Sequence, residues 1–331
     1  MLEWATRRAR SQLVDGVNVE TETAMAAAGT GSNLAPRQNL SPKSERGIAL
    51  ALGGGAARGW AHIGVIRALD EAKIPISMIA GTSIGALVGG CYLAGKLDEL
   101  EEFARSLTKR RIFGLLDFHL GGNGLLSGLK LTQKLSEHLD RYTFGDLPKP
   151  FVCVASEIRT GHEIWLSSGS LINAMRASYA LPGVFEPIEC NNRILVDGAL
   201  VNPVPVSVCR AYEEPRVVAV NLHYDHFGRA AVVKHDAGVS MAALQAAPRQ
   251  NGLARESRLG ISGVMVEAFN IIQDRIARAR LAGDPPDLSL HPKLGNIGLT
   301  EFHRADEAIR VGYEATISKL EDIERLQAVL V

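Results

Sequence analysis

The chain has 331 residues, enough for one large or two ordinary domains, and 46% of them are hydrophobic, which supplies a core for an α/β protein. Basic and acidic residues number 36 each, so no net charge attracts nucleic acid, and no basic stripe with interleaved aromatic residues is present. There is no run of 18 apolar residues and no signal peptide, so we expect a cytoplasmic protein without a membrane span.

From residue 48 onward, short apolar runs alternate with segments of helical spacing, and this alternation predicts an α/β fold with a mainly parallel central sheet and helices on both faces. The predicted strands, in chain order, are 48–52, 76–80, 151–158, 163–166, 184–188, 193–197, 216–222 and 288–290. The predicted helices are 59–72, 84–94, 97–109, 130–140, 169–178, 203–211, an amphipathic helix marked by Met265, Phe269, Ile272 and Ile276, and a closing helix at 302–320.

Three regions follow from this pattern. Residues 1–46 are rich in Ala, Gly, Ser, Asn and Pro, so we expect an N-terminal extension that is largely a disordered linker. Residues 47–222 contain the alternating core, and 223–331 are expected to form a helical region packed on it. For the glycine-rich segment 120–128, a mobile lip at the site and a plain surface loop both remain open. For the amphipathic helix, core packing is favoured, and a membrane-facing or dimer surface stays open.

The strand at 48–52 runs into a glycine-rich turn, Gly-Gly-Gly-Ala-Ala-Arg-Gly at 53–59. Such a turn directs several backbone N–H groups at one point, which suits an anion. A nucleotide triphosphate is excluded, because Trp60 stands where a P-loop needs lysine. The turn matches a binding site for a dinucleotide pyrophosphate only weakly, because Arg58 stands at the third glycine of the dinucleotide-binding pattern G-x-G-x-x-G. An oxyanion formed during acyl transfer also fits.

The second element is the pentapeptide Gly-Thr-Ser-Ile-Gly at 81–85, between an apolar strand and a helical segment of small residues. This context is typical of a nucleophile elbow, in which flanking glycines allow a sharp turn and expose the serine hydroxyl. A glycine-rich turn between a strand and a helix, without a catalytic role, could have the same sequence. The oxyanion interpretation of the first turn is the one that also gives Ser83 a role.

The third element is the strand 193–197, which ends in Asp197 and Gly198, so that the carboxylate emerges at a strand end. The three elements, in this order, resemble the patatin-like phospholipase family, and in particular its small bacterial members. The segments 151–161, 176–183 and 202–205 also match that family. The similarity covers roughly residues 47–222.

The resemblance implies a three-layer α/β/α fold and assigns roles to single positions. Ser83 would be the nucleophile and Asp197 its base, in a Ser–Asp pair without histidine. The implied oxyanion hole comprises Gly54, Gly55, Ala56 and Arg58, and further motif positions are Gly59, Gly81, Gly85, Gly198 and Ala199. Ala56 departs from the family pattern, which usually has glycine there. Alanine can serve if its φ is negative, which we therefore expect.

The implied activity is that of a lipolytic acyl-ester hydrolase of the phospholipase, lysophospholipase or carboxylesterase type. Its substrate would be a lipid or acyl ester, with peripheral membrane contact left open. No metal and no cofactor are expected, because no group of His, Cys, Asp and Glu has ligand spacing. The four cysteines, Cys91, Cys153, Cys190 and Cys209, also lack such spacing, and we expect buried free thiols in a reducing compartment.

Three other interpretations remain. A non-catalytic regulatory protein could retain the fold, and a dinucleotide-dependent oxidoreductase would leave Ser83 and Asp197 without a role. An α/β-hydrolase with a Ser-His-Asp triad would need a histidine after the serine, and His223 is its candidate. The sequence does not specify acyl-chain length, head group or oligomeric state.

Overall fold

A computed structural model describes residues 47–110, 137, 139–225 and 261–328. The predicted extension at 1–46, the segment 120–128 and most of the helix predicted at 130–140 lie outside these residues. The strands are β1 (Ile48–Leu52), β2 (Ile76–Thr82), β3 (Phe151–Glu157), β4 (Glu163–Leu166), β5 (Ile188–Cys190), β6 (Arg193–Asp197), β7 (Val217–Val220) and β8 (Leu288–Leu290). The α-helices are α1 (Ala61–Glu71), α2 (Ile84–Leu93), α3 (Leu97–Ser106), α4 (Leu171–Tyr179), α5 (Val206–Ala211), α6 (Ile261–Gly283), α7 (Ala305–Ile317) and α8 (Leu320–Ala328).

The strands of the described residues form one sheet in the order β5-β6-β3-β2-β1-β7-β8, with β4 also paired to β3. The five strands from β3 to β8 along this order are parallel. By contrast, β4 and β6 run antiparallel to β3, and β5 runs antiparallel to β6. The prediction of a mainly parallel central sheet is therefore confirmed.

The central strand β1 is buried on both faces, which explains its unbroken apolar sequence. Ile48, Leu50 and Leu52 face one core, which they share with α1, α2, α4 and α7. Ala49 and Ala51 face a second core, completed by α5 and by Ala277 of α6. Helices thus cover both faces of the sheet, as predicted.

The region after residue 222 extends the sheet and adds to its first layer of helices. β8 pairs with β7 in parallel, and α7 packs directly on α1. Gly64 and Gly312 make this packing close: a methyl group on Gly64 would collide with the carbonyl of Ile309, and one on Gly312 with that of Ala61. The described residues all belong to one compact unit. The domain boundary at 222 stays a prediction.

The strand predicted at 184–188 is wrong for most of its length. The N–H groups of Val184 and Phe185 both donate to the carbonyl of Leu181, so this segment is a turn after Pro182. Gly183 permits the turn with a φ of 78°. Pairing with β6 begins only at Ile188.

Two predicted helices are subdivided. The helix predicted at 59–72 begins as a 3-10 turn, Ala56–Trp60, before α1, because the N–H of Ala57 donates to Leu299 from the C-terminal region. The helix predicted at 302–320 is a 3-10 turn, Phe302–Arg304, followed by α7 and then α8. Among the described residues, none of the helices combines the length and the hydropathy that crossing a bilayer requires.

Candidate active site

Ser83 lies between the end of β2 and the start of α2, in the strained geometry of a nucleophile elbow. Its φ is 56° and its ψ is −123°, a conformation that costs about 1–3 kcal/mol in a non-glycine residue. The surroundings hold it there, because its N–H donates to Ser178 Oγ at 2.9 Å, and Ser178 in turn donates to the Val154 carbonyl. The positive end of the α2 dipole lies next to the hydroxyl.

The glycines that flank Ser83 are required by close backbone approach. A methyl group on Gly85 would collide with the carbonyl of Leu52, and one on Gly81 would lie 2.5 Å from Ala86 Cα. Gly59, on the neighbouring turn, leaves room in the same way for the side chain of Ile84. Gly81 therefore allows the sharp turn of the elbow itself, whereas Gly85 and Gly59 bring the elbow and the glycine-rich turn together.

Asp197 ends β6, and its carboxylate is bonded directly to the serine. Ser83 Oγ donates to Asp197 Oδ2 at 2.6 Å, and the N–H of Ala199 donates to Oδ1 at 2.8 Å. Gly198 allows the chain to leave the strand here, since a methyl group on it would collide with the Val154 carbonyl. The structure thus brings together the two side chains that the sequence assigned to catalysis.

Burial changes the proton affinity of this carboxyl group. Asp197 is only 2% exposed, and desolvation raises its pKa to about 6. Hydrogen bonds from Ser83 and from the Ala199 N–H oppose the rise without cancelling it. At neutral pH the group is mostly ionised and is a stronger base than an exposed aspartate, so it can accept the serine proton.

The four predicted oxyanion-hole residues differ in whether their backbone N–H is free to bind a ligand. The N–H of Gly54 donates to the Pro203 carbonyl at 2.9 Å, and that of Arg58 donates to Gly55 at 3.0 Å. The N–H groups of Gly55 and Ala56 have no hydrogen-bond partner among the described residues. Only these two of the four are therefore available to a negatively charged oxygen.

The expectation of a negative φ at Ala56 is wrong. Its φ is 46°, in the left-handed region that an alanine adopts only with strain. In the same turn, the N–H of Ala57 donates to the Leu299 carbonyl at 3.1 Å. A glycine would adopt this φ without the strain.

Arg58 contributes its side chain to the scaffold. The guanidinium is 1% exposed, and Nε donates to the Ile297 carbonyl at 2.7 Å. Burial lowers its pKa, and the carboxylates of Asp225 and Glu267 offset part of that effect. The side chain therefore ties the glycine-rich turn to the C-terminal region.

His62 and His223 are the buried histidines nearest in sequence to the site elements, and neither contacts the serine in the described residues. His62 Nε2 lies 2.7 Å from the Gly53 carbonyl, which can only accept, so this nitrogen carries the proton. Burial lowers the pKa of His62 to about 4, and the ring is neutral at pH 7. The N–H of His223 donates to Asn221 Oδ1. Asp197 accepts the hydrogen bond of the Ser83 hydroxyl directly, with no imidazole between the two side chains.

Two polar residues of the site have no role in the sequence-based interpretation. Ser178, whose segment carried part of the family resemblance, holds the Ser83 N–H. Gln273 of α6 is 3% exposed. A Cβ placed on Gly54 would lie 3.4 Å from Gln273 Oε1 and 3.6 Å from Ser83 Cβ, so the amide oxygen and the serine border the same space. The polar trio Asn270, Gln273 and Asp274, at helical spacing, is the signal that could have revealed a buried polar face.

Two of the four apolar residues that marked α6 in the sequence are exposed rather than packed on the core. Met265 and Ile272, which marked the helix in the sequence, are 58% and 45% exposed, whereas Asn270, Gln273 and Asp274 are buried. The buried face combines Gln273, which lies beside Gly54, with Ala277, which packs in the second core. The four cysteines follow their prediction more closely: all are free, with Cys190 half-buried and the other three buried.

Comparisons with known proteins agree on one family. The sequence model of a family described as patatin-like phospholipase matches residues 50–210. The chain is 32% identical, over 331 residues, to an uncharacterised NTE family protein of Mycobacterium bovis, covering 84% of this chain and 92% of that protein. A protein of Mycobacterium tuberculosis with the same description gives the same values. The lysophospholipase NTE1 of Mycosarcoma maydis is 35% identical over 190 residues, 53% of this chain and 10% of that protein.

Proposed function

Since this chain belongs to the patatin-like phospholipase family, we propose that it is a lipolytic acyl-ester hydrolase with Ser83 as nucleophile and Asp197 as base. The observation that carries the proposal is the direct hydrogen bond of 2.6 Å between the two side chains. A serine hydroxyl is a weak nucleophile until a neighbouring group takes its proton. Here the neighbouring group is a buried carboxylate.

In the first half of the reaction, Ser83 Oγ attacks the ester carbonyl and its proton passes to Asp197. The carbonyl oxygen gains negative charge, and the N–H groups of Gly55 and Ala56 are the donors proposed to stabilise it. Asp197 then protonates the leaving alcohol as the carbon–oxygen bond breaks. The acyl group remains on Ser83.

In the second half, water attacks the acyl-enzyme and Asp197 accepts a proton from it. The tetrahedral intermediate collapses, the bond to Ser83 Oγ breaks, and the serine recovers its proton. The acid is released and the carboxylate is ready for another cycle. The raised pKa of Asp197 supports both roles, because it lies close to the working pH.

The substrate class follows from the relatives as a proposal. The family description names phospholipases, and the Mycosarcoma maydis relative is called a lysophospholipase. We propose a glycerophospholipid or its monoacyl form as the substrate. We place the enzyme in the cytoplasm, which the four free cysteines support.

Peripheral contact with a lipid surface is part of the proposal. Half of the eight large apolar side chains exposed in the described residues belong to α6: Val264, Met265, Ile271 and Ile272. They share one face of the helix, since they stand at positions i, i+1, i+7 and i+8. The opposite face covers the site. An apolar face next to a lipid-cleaving centre suits insertion into the head-group boundary of a bilayer.

The experiment that tests the proposed activity is labelling with a serine-directed fluorophosphonate, followed by peptide mass spectrometry. We expect the label on Ser83 and its absence from Ser83→Ala. Hydrolysis of a lipid extract by the wild-type protein, with products identified by mass, then defines the head group. Labelling on another serine with activity retained in Ser83→Ala would overturn the assignment, and a protein that neither labels nor cleaves any ester would be the non-catalytic alternative.

A further inference from the structure

Gln273 has an unusual environment for an amide side chain. It is 3% exposed, and its Oε1 has no hydrogen-bond partner among the residues that the structure describes. Buried polar atoms in folded proteins are almost always hydrogen-bonded, so an acceptor of this kind calls for an explanation. A partner that is present only during the reaction would supply one.

The position of the amide connects it to the catalytic centre. A methyl group on Gly54 would lie 3.4 Å from Gln273 Oε1, 3.6 Å from Ser83 Cβ and 3.3 Å from Ala199 Cβ. The amide oxygen, the nucleophile and the residue two positions after Asp197 therefore converge on one small space beside the glycine-rich turn. Glycine at position 54 keeps that space open.

The helix holds Gln273 firmly at this place. Ala277, one turn further along α6, is buried in the second core, and Arg280 is paired with Glu163 at 2.7 Å. Asp274 is bonded to Arg278 on the same helix. The amide is thus held in place as an acceptor. The charged residues near it on the helix, Asp274 and Arg280, are already paired with Arg278 and Glu163.

The reaction contains a molecule with a hydrogen to donate. The water that cleaves the acyl-enzyme has two O–H groups: Asp197 accepts one proton, and a second acceptor would fix the orientation of the other O–H. Building on the proposed function, we propose that Gln273 Oε1 accepts this second hydrogen bond and thereby positions the hydrolytic water.

In the deacylation step, every bond formed is matched by a bond broken. The water oxygen forms a bond to the acyl carbon while one of its protons moves to the Asp197 carboxylate. The bond between that carbon and Ser83 Oγ then breaks, and the proton passes from Asp197 to Ser83 Oγ. Gln273 exchanges no proton and is a positioning residue, so its loss should slow deacylation and leave acylation unchanged.

The test separates these two half-reactions in the full-length protein with a p-nitrophenyl ester. Release of nitrophenolate with enzyme in excess gives the acylation rate, and decay of the acylated mass of Ser83 gives the deacylation rate. Gln273→Met keeps the length of the side chain and removes the acceptor, whereas Gln273→Glu keeps an acceptor oxygen. Asn270→Met, one turn away on the same buried face, is the matched control for helix packing.

We expect Gln273→Met to slow deacylation by about tenfold, the value of one hydrogen bond, with acylation nearly unchanged. Gln273→Glu should recover most of the rate at pH 8, and Asn270→Met should retain wild-type kinetics. Equal loss in both half-reactions, equal loss in the Asn270 control, or undiminished deacylation in Gln273→Met would each overturn the inference. A wild-type protein that neither releases nitrophenolate nor carries an acyl group on Ser83 would overturn the proposed function itself.

Discussion

Ser83 and Asp197 are joined by one hydrogen bond of 2.6 Å between Oγ and Oδ2, although 114 residues separate them in the chain. The elbow between β2 and α2 presents the hydroxyl, and the end of β6 presents the carboxylate. The sheet brings the two together through β3, which pairs with β2 on one side and β6 on the other. The order of the strands in the sheet therefore brings Ser83 and Asp197 together.

The first prediction concerns the pH dependence of activity. Asp197 must be ionised to accept a proton, and burial raises its pKa to about 6. We expect kcat/KM for a soluble ester to fall by about tenfold per pH unit below that value. A series of initial rates from pH 5 to 9 measures this. A profile that stays flat down to pH 5 would contradict Asp197 as the base.

The second prediction concerns stability. The folded state raises the pKa of Asp197 from 3.8, so it binds more protons than the unfolded chain between that value and about 6, and stability falls as pH rises through this window. Asp197→Asn removes the buried charge, and we expect it to stabilise the protein by up to about 3 kcal/mol at pH 8. At pH 5 the gain should be about half as large.

Urea unfolding of both proteins at the two pH values measures the difference. The same variant should lose about two to four orders of magnitude in turnover, so that stability and activity change in opposite directions. An Asp197→Asn protein that is less stable than the wild type at pH 8 would show that the ionised carboxylate is favourable in the fold. That result would contradict the raised pKa.

The third prediction concerns the glycine-rich turn. Ala56 has a φ of 46°, and a β-branched residue there should cost about 1–2 kcal/mol or more. We expect Ala56→Val to lower both the melting temperature and kcat, because the N–H of residue 56 would be displaced. Ala56→Gly is the matched control and should keep wild-type activity with equal or higher stability. Equal behaviour of the two variants would mean that the left-handed turn is not needed for catalysis.

The fourth prediction concerns the outer face of α6. Replacing both Met265 and Ile272 by Glu should weaken binding to phospholipid vesicles, and hydrolysis of vesicle lipid, by about tenfold. Turnover of a soluble ester should stay nearly the same. Ile317→Glu, at an apolar residue of α7 that is 42% exposed, is the matched surface control. Vesicle sedimentation and lipid turnover are the measurements, and unchanged values in the double variant would contradict lipid contact by this face.

Much of the fold could be predicted because its signals are local. The apolar run Ile48–Leu52 predicts a buried central strand, and the small residues after Ser83 predict a helix packed closely on the sheet. Both elements occur as expected. The site pair could be predicted for the same reason, since each member lies at the junction of a strand and a sharp turn. Family resemblance then assigned the two residues to one reaction.

The features that could not be predicted depend on contacts between distant segments. The left-handed φ of Ala56 occurs in a turn whose next N–H, that of Ala57, donates to Leu299, more than 200 residues later. The orientation of α6 depends on how the helix packs beside Gly54 and on the second core, so the prediction that Met265 and Ile272 face a core is wrong. Gln273 was missed because a polar face at helical spacing has the same residue pattern whether it is buried or exposed to solvent.

The most direct test of the account is a turnover series on one soluble ester, with folding of each variant verified by circular dichroism. The variants are Ser83→Ala, Asp197→Asn, His62→Gln and His223→Gln, and the glutamine at 62 keeps an N–H donor for the Gly53 carbonyl. A Ser–Asp mechanism predicts that Ser83→Ala is inactive, that Asp197→Asn loses about two to four orders of magnitude, and that both histidine variants keep most of their activity. A folded His223→Gln protein as inactive as Ser83→Ala would contradict the mechanism and point to a histidine-dependent triad.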